Sequence, residues 1–391
     1  MTTLTKELIG SWANDPAAPV ALHLKQKLTS VECIDQEDRC IIYPPTYADI
    51  GYNIDTLSDG KKVALVDSVG SQANRMEPLF KSSSDKREEW LVPQIQIALG
   101  KDTKEAKATR LSLLDLAHRG ADAVVQSSGS LAKDVRGAFA SLRATGDAGP
   151  LCAIAPTSLL FGVWDSRGSS AEKRPRLIRS VIRAWDVEVL HAAAQFNSVW
   201  KELDEKQRKE LQDEAKKQKK KLSVKGFADA PATFRDTKAA QYVEGSPNPE
   251  ARVLGGVLVK GGIERSVTIN LVALRGLQGS DADESKALRS YLLSLALIAA
   301  TAEMDLFLRE GCHLRYTGDD KWFSVPRRGE IAEVHLATKE AAAIFTEAAK
   351  NGVKHFRSKW PEEMNHIFDI AEAKKLLATK EDSDQPDNPQ P

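Results

Sequence analysis

In VALVDSVGSQANRMEPLF (residues 63–80), an apolar run stops at Asp67 and is followed at once by Ser68, Ser71, Gln72, Asn74 and Arg75, all short or planar hydrogen-bonding side chains. If KVALVD (62–67) is a strand, this knot lies where the chain turns into a helix. Ser71 is then placed to cap that helix by accepting a free backbone N–H, and Pro78 to end it within two turns. Free amides at a helix start attract anions, most often phosphate. Gln72 and Asn74 add donors, and an arginine such as Arg75 can fork two phosphate oxygens. No Lys-Ser or Lys-Thr follows a glycine loop, so this is no nucleotide P-loop. A capped turn with Arg75 in a salt bridge accounts for the same residues, and both readings stay open.

Three further stretches carry candidate chemistry. FGVWDSRGSSAEKRPRLIRSVIR (161–183) holds six bases and one acid between 166 and 183, with Trp164 beside them. Arginines interleaved with an aromatic suit single-stranded nucleic acid, because bases stack while phosphates pair; the plainer account is a core Trp164 and a solvated basic loop. In LAHRGADAVVQSS (116–128), His118 lacks a carboxylate or cysteine at catalytic spacing and reads as a structural hydrogen-bonder. Arg119 could reach a phosphate or the carbonyls of its own helix. In RVLGGVLVKGGIERSVTINLVALRGL (252–277), paired glycines bracket VLVK, as expected for a hairpin turning at KGGIE, with Lys260, Arg265 and Arg275 along one face. There is no H-E-x-x-H, no G-x-S-x-G, no paired metal-binding histidine and no two-metal acid cluster. No reaction, metal or cofactor is therefore expected.

The elements that must position these residues read as follows. Strands are expected at 39–43, 62–67, 151–155, 181–192, 252–259, 266–274 and 313–317. Helices are expected at 86–98, 109–118, 131–142, 197–221, 284–310, 336–350 and 361–378, with Gly352 as a C-cap and Pro361 in the first turn of the last helix. Strands and helices mix without a strict βα alternation, which favours α+β over a doubly wound parallel sheet. KELDEKQRKELQDEAKKQKKK (201–221) changes from six acids and four bases to five lysines without acid, the pattern of a solvated helix with cations at its C-terminal end or of a nucleic-acid contact. The tail EDSDQPDNPQP, acidic and proline-rich, is expected to be disordered.

Composition bounds the answer. The 391 residues are 42% hydrophobic, enough for a real core. Basic and acidic residues balance at 55 each, which argues against a surface that is basic all round and leaves room for a local basic stripe. Four scattered cysteines without C-x-x-C spacing fit a reducing, cytoplasmic compartment. No basic-then-apolar leader is visible. The longest uncharged apolar run, residues 290–302, is shorter than the ~20 residues a membrane span needs, so no membrane partner is expected.

Together, LVDSVGSQANRMEP, LAHRGADAV, LFGVWDSRG and GGVLVKGGIERSVTINLVALRGL resemble, in order and spacing, the backbone subunit of type I-U (I-G) CRISPR surveillance complexes, a member of the RAMP superfamily. The resemblance covers roughly residues 60–300. It implies a ferredoxin-like, RNA-recognition-motif-related core sheet with large helical and loop insertions forming palm, fingers and thumb. The chain would be one such domain over 1–378, with an insertion at 193–250 and the tail at 379–391. The thumb would fall within 160–180 or 222–262. The resemblance further implies a Cascade-type ribonucleoprotein for antiviral defence, whose partners are CRISPR guide RNA, further copies of the chain head to tail, other subunits, and the target DNA strand through the guide. Such a subunit is not the nuclease. A subunit that also cleaves target RNA, with Asp67 or Asp165 as the acid, and a protein-only scaffold are the alternatives. The expected RNA contacts are Ser71, Gln72, Asn74 and Arg75, then Arg119, Arg167, Arg174 and Arg176, with Trp164 as wedge or stack and Lys260 on the glycine-rich hairpin.

Overall fold

The computed structural model describes residues 4–34, 39–47, 50–100, 107–165, 172–191, 202–220, 222, 254–336 and 338–378. Helix α1 (Lys6–Asn14) leads into β1 (Ala21–Ser30). The hairpin β2 (Ile54–Thr56) and β3 (Lys62–Asp67) follows, and then α2 (Val69–Met76). After helix α3 (Gly129–Thr145), the chain returns as β4 (Ile178–Trp185) and β5 (Val187–His191), then β6 (Leu254–Val259) and β7 (Ile263–Asn270). Helix α4 (Ala282–Thr301), β8 (Leu306–Arg309), β9 (Cys312–Val325) and helix α5 (Lys339–Arg357) complete the main body.

The main sheet runs β8-β9-β1-β7-β4-β3-β2, and every neighbouring pair is antiparallel. Within it, β9-β1-β7-β4 is the fourth-first-third-second order of a ferredoxin-like, RNA-recognition-motif-like core, with helices between its first and second strands and between its third and fourth. The chain is thus α+β, a curled antiparallel sheet with helical insertions. The hairpin β2–β3 extends the core beyond β4. Strands β5 and β6 prolong β4 and β7 into a separate paired ribbon, in which Val187 lies opposite Val259 and His191 opposite Leu254.

Alternation makes the two faces of this sheet. In β1, Leu22, Leu24, Gln26 and Leu28 are buried while Lys25 and Lys27 are exposed, so one face meets the core and the other meets solvent. Helix α4 begins at the cap Asp281, whose carboxylate accepts from Glu284 N, and buries Leu288, Leu292 and Leu295 completely. Each fully buried leucine contributes about 1.5–3 kcal/mol. Helix α5 packs along α4, and Gly352 is where they touch most closely: a Cβ there would sit 2.7 Å from Tyr291 Cβ. The glycine expected to end a helix instead lies inside one, chosen for that contact.

Other expectations are corrected in the same physical terms. LCAIA is not a strand but part of the helix Gly149–Ile154, which starts with Pro150 in its first turn; a short apolar run does not distinguish a buried strand from a buried helix. Residues 86–98 and 109–118 are not helices. They hold the 3-10 turns Arg87–Glu89 and Leu113–Asp115 and the paired strands Gln96–Leu99 and Thr109–Ser112, with Pro93 standing against a continuous helix. The 284–310 helix ends at Thr301. Pro361 precedes the strand Asn365–Ile367, and the last helix begins only at Ile370. Of 197–221, the helix Glu205–Lys217 is seen, opened by a capping box between Asp204 and Gln207 and burying none of its residues. Most of the 193–250 insertion and the 379–391 tail lie outside the described residues.

A polar seam crosses the core. Arg265 is fully buried on the inner face of β7. Its Nε donates to Gln72 Oε1 (3.0 Å) and Ser180 Oγ (3.1 Å), and its Nη1 donates to Gln26 Oε1 (2.5 Å) and Ala300 O (2.9 Å). Among the described residues, no carboxylate touches the guanidinium. Gln72 and Gln26 pass its charge on by donating to Asp67 Oδ2 (2.6 Å) and Asp320 Oδ2 (2.8 Å). A buried charge persists only when its donors are satisfied in this way.

Candidate nucleic-acid interface

Strand β3 delivers Asp67 to the core edge, and α2 starts two residues later. Ser68, not Ser71, is the cap: its Oγ accepts from Ser71 N at 3.2 Å and lies 3.0 Å from Ser71 Oγ. The helix lasts to Met76, and Pro78 opens the 3-10 turn Glu77–Phe80 that replaces it. Its apolar side rests on β4 and β7, which decides the fate of its polar residues. Gln72 points into the sheet, donates to Asp67 and accepts from Ser180 (2.7 Å) and Arg265. Both ends of its amide are engaged, so it is a fastening of the fold and not an open contact for RNA. Arg75, one-third exposed at its side chain, pairs through Nε with Asp67 (3.1 Å) and through Nη2 reaches Leu308 O (3.5 Å). It thereby ties α2 to β8 across the curled sheet. Asn74 faces outward.

Arg119 comes to Asn74 from a distant loop. It adopts a left-handed backbone (φ 53°), uncommon for a side chain of this size, and is only 4% exposed. Its Nε pairs with the buried Glu77 at 2.7 Å. Its Nη1 donates to Gly162 O (3.2 Å), its Nη2 to Asn74 Oδ1 (3.3 Å), and its guanidinium lies 5.4 Å from the Phe161 ring centre. Burial pushes the Glu77 carboxyl up to about 7 against the pull of Arg119. Burial also lowers the Arg119 pKa, against Glu77 and helped by the positive charge of Arg176. Arg119 is therefore a positioning residue whose charge is largely balanced from within.

The paired strands Val163–Asp165 and Glu172–Arg174 close the other side. Gly162 has φ 78°, and a Cβ there would meet Arg176 Cγ at 2.8 Å and Arg174 O at 3.0 Å; only glycine lets the arm fold back so tightly. Trp164 is left 61% exposed. The result is a cleft of about 350 Å³ whose lining includes Asn74, Arg119, Trp164, Lys173, Arg174 and Arg176 and, among the described residues, no carboxylate. A half-enclosed groove with cationic groups and an unsheltered indole can hold a phosphate chain and stack a base.

Five of the expected residues thus meet in one place: Asn74, Arg119, Trp164, Arg174 and Arg176. The others do not. Ser71 and Arg75 lie on α2 outside the lining, and Gln72 is in the core. Lys260, not on a shared face with Arg265 and Arg275, pairs with Glu188 at 2.6 Å beside the β5–β6 ribbon. Arg265 is buried, and Arg275 donates to Trp12 O and Pro19 O. Arg167 lies outside the described residues. Lys173 and Glu77 were not singled out, although Lys173 stands in the basic run. A larger cavity, about 510 Å³, opens elsewhere beside Gln96, Arg110, Ser128 and His366 and contains none of the expected residues. Among the described residues, no group of His, Cys, Asp or Glu could hold a metal ion, and no helix is long and apolar enough to cross a membrane.

Residues 23–189 match the model of a family described as CRISPR-associated protein GSU0053. No curated protein matches the chain. The matched span runs from β1 to β5, contains α2 and every residue of the cleft, and is similar to that CRISPR-associated family over this part of the chain.

Proposed function

We propose that the chain is a CRISPR guide-RNA-binding backbone subunit of the type I-U (I-G) kind, non-catalytic, repeating head to tail along the guide and presenting its bases to target DNA. The observation that carries this reading is the cleft: Trp164 beside Lys173, Arg174 and Arg176, with no acid among the described residues of its lining. A guide varies in sequence, so its carrier must hold phosphate and sugar rather than base edges, and these side chains do that. A heterologous contact between copies generates an open helix whose length the RNA sets. The resemblance of the four motifs and the family match over 23–189 agree with it. The target-cleaving alternative loses one of its two acids, since Asp67 is buried and held by Gln72 and Arg75.

The test is co-expression with a repeat–spacer array, then sizing of the purified particle and its RNA. The expected product is a multimer carrying guide-length RNA. Arg176→Gln should weaken binding equally for guides of unrelated sequence and lower the log–log salt slope by about 0.7. A monomer free of RNA and indifferent to added guide would refute the reading.

A further inference from the structure

The larger cavity, about 510 Å³, is lined by all three strands of the small sheet: Asn365–Ile367, Gln96–Leu99 and Thr109–Ser112. The register sets out its wall. Asn365 stands opposite Gln96. One row on, Ile367 stands opposite Ala98, and Ala98 opposite Arg110. An apolar step, Ile367 and Ala98, is thus flanked by two carboxamides and a guanidinium. Ile367 is 54% exposed, and Ala98 is too short to fill the space before it. Helix α3 begins at the same cavity, with Gly129 and Ser130 in the wall. Its cap residue Ser128 makes no side-chain bond to the first turn and instead donates to Val124 O at 2.6 Å. The leading amides of this 17-residue helix are therefore left without a side-chain cap.

His366 is an independent sign that the cavity takes a ligand. It lines the cavity and is only 6% exposed. Its Nε2 lies 3.1 Å from Glu363 O. A carbonyl oxygen only accepts, so Nε2 carries the proton, and the neutral ring keeps Nδ1 as an acceptor. Among the described residues Nδ1 has no partner, a condition rare for a buried polar group. Arg110 and the open amides of α3 suit a phosphate. A bare anion leaves the rest of the wall unexplained, because the exposed Glu363 carboxylate also lines it and would repel one. A phosphate attached to a sugar and a flat ring does explain it. Sugar hydroxyls donate to Glu363 and to His366 Nδ1, the ring rests on Ala98 and Ile367, and the carboxamides of Gln96 and Asn365 each offer a donor and an acceptor to its edge. The volume falls within the roughly 300–1,000 Å³ of small-molecule sites.

We infer that this cavity is a binding site for a free nucleoside monophosphate. Arg110 and the first amides of α3 hold its phosphate, Glu363 and His366 its sugar hydroxyls, and Gln96, Asn365 and the Ala98–Ile367 step its base. The site shares no residue with the cleft, and the inference does not rest on the proposed function.

The experiment titrates AMP and UMP into the full-length protein and its A98L, R110Q and W164A variants by isothermal titration calorimetry, with ribose 5-phosphate and inorganic phosphate as controls. At least one nucleotide should bind at one site per chain, and ribose 5-phosphate about tenfold or more weakly, since it forfeits the hydrogen bonds to the base. A98L should fill the step and abolish binding. R110Q should weaken it about tenfold or more, the loss of a charge-assisted hydrogen bond. The urea midpoint of R110Q, a change at an exposed position, should match the parent's, so R110Q alone decides should A98L unfold. If neither nucleotide binds, or binding survives both changes, the inference fails. Loss in W164A alone places the nucleotide in the cleft and refutes it. Equal binding of ribose 5-phosphate or inorganic phosphate reveals an anion pocket that reads no base. Displacement of the nucleotide by a short single-stranded RNA without end phosphates reveals a strand's path. Either result overturns the proposal.

Discussion

Helix α2 and the paired strands Val163–Asp165 and Glu172–Arg174 flank the same cleft, but they use their side chains differently. On α2, Gln72 is sealed into the sheet and Arg75 is tied to Asp67 and Leu308 O. On the arm, Trp164 is mostly exposed, and Lys173 and Arg176 stand in solvent. One element is anchored and the other is presented. Between them, Arg119 is an anchored cation that gives the cleft its floor. Residue type alone does not separate these roles; what does is whether the backbone beneath rests against the core.

The sharpest way to break this contrast is at the anchor. Glu77→Ala leaves the Arg119 guanidinium buried without its partner, and removal of one member of such a pair costs about 3–5 kcal/mol; urea denaturation would read it. Glu77 also has a pH signature. Its folded pKa, about 7, lies above its unfolded value of 4.5, so the folded state binds more protons between these values and stability falls as pH rises from about 4.5 to 7. Relative to Glu77→Gln, which cannot titrate, the urea midpoint should drop across that window; parallel curves would mean the carboxyl stays ionised beside Arg119.

A smaller loss is expected at Gln72. Gln72→Leu leaves Asp67, Ser180 and Arg265 each short of a buried partner, and an unsatisfied buried group costs about 1–3 kcal/mol. RNA affinity should follow only as far as folding does. Trp164→Ala should do the reverse. Stability should hold within about 0.5 kcal/mol, as for most surface changes, while affinity falls by about 1–3 kcal/mol if one base stacks there. A Trp164→Ala protein that binds normally but unfolds early would erase the distinction between the two elements. The smallest effect belongs to Lys260→Ala, whose exposed pair with Glu188 should be silent in both assays.

Legibility followed the same line. KVALVD was plain in the sequence because its residues are those of a buried strand, and the observed bounds of β3 coincide with it. Three of the four motifs led to the cleft because each keeps its chemistry local. β1 was missed although ALHLKQKLTS alternates, since Gln26 interrupts the apolar phase; the partners that make Gln26 a core residue, Arg265 and Asp320, are far along the chain. Arg265 left a signal that was not weighed. In IERSVTIN it shares its phase with Ile263, Val267 and Ile269, the three residues that face the core. That Glu77 pairs with Arg119, or that Gly352 meets Tyr291, depends on contacts no local pattern encodes.

The β5–β6 ribbon has a practical corollary. Because His191 and Leu254 lie opposite each other, the polypeptide leaves the body and re-enters it through the same doorway. The chain between these two residues can therefore be shortened, lengthened or replaced by a tight turn with the β5–β6 pairing kept, and the one helix described within it, Glu205–Lys217, buries none of its residues. Length changes between His191 and Leu254 thus meet the body only at this one doorway.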